Sequence, residues 1–135
     1  MSISGDDGNM TEEFGIFDLM REIANCEQRK PWQSGLYSKT LFKKQDFRVV
    51  LITMENAAKM KEHHADGTIS AQVLQGQIRV HAQGQAYDLR LGNLFTLGAS
   101  IKHDVESIGD SAFLLTISWP KNRDLLAMEH RGYGT

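Results

Sequence analysis

After Pro31 the chain breaks into short runs rich in Val, Ile, Leu, Phe and Thr, separated by glycine or polar turns. This texture constrains the fold more than any other feature. The runs are SKTLFKK, FRVVLITME, ISAQVLQ, QIRVHAQ, QAYDLRL, NLFTLG, KHDVESI and SAFLLTISW. Their close, even spacing predicts an all-β sandwich or barrel rather than alternating βαβ units. Gln75-Gly76, between two runs, predicts a tight hairpin, because glycine supplies a positive φ at low cost. Gly84 and Gly92 are predicted to turn the chain in the same way.

Three segments follow from this reading: an N-terminal arm over 1–30 with a short helix, a β-barrel domain over 31–120, and a C-terminal tail over 121–135. Residues 1–10 are rich in Gly, Ser and Asp and read as a loose arm. Ile16, Leu19, Met20 and Ile23 then repeat at i, i+3, i+4, i+7, which predicts an amphipathic helix over about 12–25. Thr11 would cap it, and Glu12 and Glu13 suit the positive end of its dipole. Its expected role is to close one end of the domain, with a dimer arm as the rival. The tail KNRDLLAMEHRGYGT predicts a short helical turn with a mobile end.

Composition removes several classes. The chain has 135 residues, suited to one compact domain. A formal net charge of −2 gives no basic excess for nucleic acid. No apolar run approaches the roughly 20 residues of a membrane helix. The acidic N-terminus lacks the order of a signal peptide, so a cytoplasmic protein with no membrane partner is expected. Cys26 is the single cysteine and reads as structural rather than as a nucleophile.

The stretch EHHADGTISAQVLQG and the later segment from Gly92 to Ser107 together resemble the small single-domain cupins of the RmlC-like superfamily. The first cupin motif runs H-x-H, three or four residues, E, six residues, G. Counted back from Gly76, its positions are held here by His63, Ala65 and Ile69. The spacing of the second motif, G, five residues, P-x-G, two residues, H, three residues, N, is kept without a gap from Gly92 to His103, with Gly98 in place of the proline, Ser100 in place of the second glycine and Ser107 at the asparagine position. The resemblance covers about residues 36–118. It implies a mostly β fold, an antiparallel barrel of two facing sheets, often assembled as a homodimer.

The family's metal is held by the two histidines and glutamate of the first motif and the histidine of the second. Only His63 and His103 survive that comparison. Ala65 and Ile69 carry no donor, and Ile69, Ala71 and Val73 on one strand face would make an apolar wall. A variant register would instead offer Glu62, His64 and His103, and Asp66 could contribute from the turn. His64 otherwise reads as solvated, as do His81 and His130.

The function expected from this reading is the binding of a small molecule inside the barrel, with His63 and His103 as polar contacts. The alternative is a metal-dependent enzyme of oxygenase or isomerase type, its divalent ion held by the same two histidines. Metal-free acid–base catalysis by either histidine, and a role mainly in assembly, are the remaining readings.

Overall fold

The structure is a computed structural model. It describes residues 5–6, 13–63 and 66–119, and of residues 5, 6, 62 and 63 the backbone alone. The elements are β1 (Gly5–Asp6), α1 (Leu19–Glu27), a 3-10 turn (Gln33–Gly35), β2 (Leu36–Lys43), β3 (Phe47–Met54), β4 (Lys59–His63), β5 (Thr68–Ala82), β6 (Gln85–Arg90), β7 (Leu94–Leu97) and β8 (His103–Ser118).

Two long strands organise everything else. The first half of β5 pairs with the second half of β8, from Thr68 opposite Ser118 to Val73 opposite Phe113. The second half of β5 pairs with the first half of β8, from Gln77 opposite Ile108 to Ala82 opposite His103. Strand β3 extends the first pairing on the β8 side and β2 extends β3, while β7 closes the β5 side. On the second pairing, β4 joins β8 and β6 joins β5. All these pairings are antiparallel, and the halves form the two facing sheets of a barrel. Only β1 runs parallel, beside β2, so part of the expected loose arm is a paired strand.

Strand alternation accounts for the core. Along β3, Val50, Ile52 and Met54 enter the barrel, while Val49 and Leu51 face the opposite way. Along β5 the inward residues are Ile69, Ala71 and Val73, then Ile78, Val80 and Ala82. The inward row therefore changes from odd to even numbers part-way along one strand.

Gly76 makes that change. It is not the hairpin turn that Gln75-Gly76 predicts; β5 continues through it. The register against β8 shifts between Val73 and Gln75 and again between Gln75 and Gln77. Gly76 has φ of 71°, and a Cβ there would strike the backbone oxygen of Asp110. Opposite it, β8 carries extra residues around Gly109, whose N–H donates to Asn56 Oδ1 at 2.8 Å. Asn56 N–H in turn donates to Asp110 Oδ1 at 2.9 Å. Ser107 donates to Gly109 O, and the Ser107 and Ser111 hydroxyls are 2.6 Å apart, so buried polar groups at this corner are satisfied. The expected turn at Gly84 is present: Gln83 and Gly84, both at positive φ, link β5 to β6 as a two-residue hairpin. Gly92 lies in the turn between β6 and β7.

The helix begins later than its apolar spacing predicts. Asp18 is the N-cap, its Oδ1 accepting from Arg21 N at 3.2 Å. Ile16 and Met20 are exposed, and Ile23 and Cys26 are the buried residues of α1. The helix lies on the outer face of the first sheet, where Ile23, Cys26 and Trp32 pack with Leu41, Leu51 and Ala112. Trp32 Nε1 donates to Cys26 O at 2.9 Å, and Lys39 of β2 pairs with Glu22 at 2.8 Å. Cys26 is the buried structural residue it reads as; burial pushes its thiol pKa up and keeps it protonated. Thr11, Glu12 and the tail from residue 120 onward lie outside the described residues. Among the described residues no helix is long and apolar enough to cross a membrane.

Two outcomes test this account. Gly76→Ala should lower stability by roughly 2 kcal/mol or more in urea denaturation, because a left-handed position and a backbone clash act together. Gly84→Ala, in open space at the surface, meets no clash and should cost less. Trp32→Phe should cost about 1–2 kcal/mol by losing one buried hydrogen bond and part of the contact with α1, with the barrel circular dichroism unchanged.

Candidate functional site

The barrel encloses a cavity of about 140 Å³. Its walls come mainly from strand interiors: Ile69, Ala71, Ile78, Val80, Phe113 and Leu115. Phe95 and Trp119 complete the apolar lining. Its charged and polar side chains come from strand ends. Arg48 is the second residue of β3, His103 the first of β8, and Asp66 lies just ahead of β5. The result is an apolar body with a few polar groups at its margin.

His103 is buried, with 5% of its surface exposed. Its Nδ1 lies 3.0 Å from the carbonyl oxygen of Ile101. A carbonyl only accepts, so this contact places a proton on Nδ1 and fixes the ring's orientation. The loop ahead of His103 holds Ser100 at φ of 68°, in the left-handed region. That is the position where the cupin motif has a glycine. Ser107, at the motif's asparagine position, is used in the Gly109–Ser111 corner instead.

His63 is the last residue of β4, and its backbone stands directly opposite His103 on the neighbouring strand. The two are therefore neighbours in one sheet rather than residues facing each other across the barrel. The side chains of Glu62 and His63, and the whole of His64 and Ala65, lie outside the described residues. Asp66 is half-buried and lines the cavity. His81 faces Asp104 at 2.6 Å, both part-exposed, and neither lines the cavity.

The described donors do not fit a metal centre. Among the described residues no three His, Cys, Asp or Glu side chains gather into a group able to hold a metal ion. Ile69, at the motif's glutamate position, is buried in the cavity wall, and Ala71 continues that wall. Neither of these two side chains offers a cation an oxygen or nitrogen ligand.

Arg48 is the site residue that sequence reasoning misses. It shares the inward row of Val50, Ile52 and Met54, so β3 alternation alone could have found it. Its guanidinium carbon lies 5.2 Å from the centre of the Trp119 ring. Its Nε is shut off from solvent and has no hydrogen-bond partner among the described residues.

Solved structures of low identity share the architecture. A conserved protein of unknown function from Streptococcus pyogenes aligns with a TM-score of 0.67 at 20% identity, over 90% of this chain and 97% of that one. The cupin domain of Cnp3 from Schizosaccharomyces pombe aligns with a TM-score of 0.65 at 20% identity, over 76% and 75%. A cupin superfamily protein from Desulfitobacterium hafniense gives 0.65 at 15% identity, over 83% and 96%. No curated protein matches the chain. The family model of the AraC-like ligand binding domain matches residues 49–126, more than half of the chain. With its two-sheet barrel and central apolar cavity, the chain belongs to the AraC-like ligand binding domains, on a small cupin scaffold.

Proposed function

We propose that this domain binds a small organic molecule inside the barrel, as a ligand-binding module rather than as a metal enzyme. The observation that carries the reading is the character of the cavity. Its wall is apolar where the cupin metal motif has a glutamate, and its polar groups stand at the margin. Small-molecule pockets have this composition: mostly apolar, with a few placed polar groups that orient the ligand. The volume suits an apolar body about the size of one six-membered ring, since a cavity of roughly 150 Å³ in another protein holds benzene. Family membership agrees with it. His103 is the orienting contact on the β8 side, and His63 is assigned to the same role from its place opposite His103.

Benzyl alcohol serves as a neutral probe of this reading. It should raise the melting temperature in proportion to the logarithm of its concentration, as binding to the native state alone requires. Ala71→Phe, which puts a ring into the cavity, should remove that response while leaving the far-ultraviolet circular dichroism unchanged. A benzyl alcohol response of equal size in Ala71→Phe would place its binding elsewhere and remove this support.

The rival reading, a divalent-ion enzyme, has one observation in its favour: the register that sets His63 opposite His103. Elemental analysis of protein purified without chelator separates the two. The binding-module reading expects well under one equivalent of transition metal per chain. A full equivalent that is lost in His103→Ala would establish the metal reading in its place.

A further inference from the structure

We propose that the cavity selects carboxylates, and that Arg48 is the residue that binds the carboxylate group. The inference rests on the ligand-binding reading above and narrows it to a chemical class: a small monocarboxylic acid with an apolar body.

Arg48 is a cation placed where the fold otherwise buries hydrocarbon. In β3 the inward positions are Arg48, Val50, Ile52 and Met54. A polar hydrogen withdrawn from water without an acceptor is costly, and native proteins rarely leave one so. Arg48 Nε is in that state. Trp119 offers its ring face to the guanidinium, which favours the positive charge but accepts no in-plane N–H. Among the described residues Arg48 forms no ion pair; the carboxylate of Asp66 lines the same cavity without pairing to it.

What is missing is an acceptor with two oxygens in one plane. The Nε edge of a guanidinium presents two parallel N–H groups whose spacing matches a carboxylate. The guanidinium already lies over the Trp119 ring, its carbon 5.2 Å from the ring centre, so its position is set before any ligand arrives. The wall of Ile69, Phe113 and Leu115 offers no polar partner, so the body of the ligand is apolar, and the other polar groups, His103 and Asp66, stand at the margin. A dianion such as a phosphate ester would bring more charge than this single cation can meet. A monocarboxylate leaves one charge for Arg48 and its hydrocarbon for the walls. Asp66 is the unfavourable partner in this arrangement, so its removal has a defined sign.

The test compares ligands of one shape: benzoate, benzamide, benzyl alcohol, benzylamine and phenyl phosphate, by calorimetry at neutral pH on the full chain. Benzoate should bind about tenfold or more tighter than benzamide and benzyl alcohol, the difference expected of a charge-assisted over a neutral hydrogen bond. Arg48→Met should abolish that preference while benzyl alcohol still binds. Arg48→Lys should retain part of it, and Asp66→Asn should tighten benzoate. Near-ultraviolet circular dichroism verifies that each variant is folded. Equal affinities for benzoate and benzyl alcohol, a benzoate preference that survives Arg48→Met, or tighter binding of benzylamine or phenyl phosphate would each overturn the proposal. In those cases the ligand-binding reading stands so long as benzyl alcohol binds in the cavity. If none of the five compounds binds, both fall.

Discussion

The fold depends on one backbone position. For β5 to serve both sheets, its apolar side chains must face the barrel on either side of a corner, and a regular strand cannot do this when its apolar residues fall at 69, 71, 73 and then 78, 80, 82. An extra residue has to be absorbed between the two series. Gly76 absorbs it at a φ that an L side chain resists, and in a space where a Cβ would meet the backbone of β8. The cavity is a consequence. Ile69 and Ala71 from one half of the strand meet Ile78 and Val80 from the other because the phase changes there.

The partner strand solves the same problem differently. β8 spreads its irregularity over Gly109, Asp110 and Ser111, and keeps its inward residues on odd numbers from His103 to Ile117. Its Gly109 amide at the corner donates to Asn56 Oδ1, its Asp110 carboxylate accepts from Asn56 N–H, and its buried hydroxyls pair with one another. On the outside of the first sheet, α1 covers the face that alternation leaves apolar. Leu51, fully buried, lies under Trp32 and Cys26 in that layer. A three-layer arrangement of helix, sheet and sheet therefore follows from the two-faced apolar strands at its middle, β3 and the second half of β8.

Much of this was legible in the sequence, and the exceptions have physical causes. The strands announce themselves through alternation and β-branched content, and the two cupin motifs fix the barrel through residues such as Gly92 and His103. Gly76 is correctly seen as a special backbone position yet misread as a hairpin. A positive φ serves a turn and a bulge equally, and only the partner strand decides between them. The helix is misplaced because Ile16 and Met20 have helical spacing without a surface to cover, whereas Asp18 supplies the cap. β4 escapes notice because Lys59–His63 is rich in charge and pairs on one side only, with β8. Arg48 escapes for a related reason. A lone arginine near a strand end reads as solvated, although its even number already puts it in line with Val50, Ile52 and Met54.

The chemistry of the cavity follows from exchanging one kind of polar group for another. A cupin metal centre gathers its donors onto neighbouring strands, and the ion's charge requires that wall to be polar. Here the wall position that would carry a glutamate is Ile69, buried among Val73, Phe113 and Leu115. With that carboxylate absent, the strand wall offers a cation no donor, and His103, whose Nδ1 is held by the Ile101 carbonyl, serves on the proposed reading as an orienting group. Arg48 then brings a permanent positive charge to the margin of the same space. On the proposed reading, the space of a cupin metal centre holds instead a hydrocarbon wall with a fixed positive charge at Arg48 and the opposing carboxylate of Asp66 at its margin. The proposed selectivity would act by charge sign before shape, because an unpaired charge brought out of water costs more than an imperfect apolar fit.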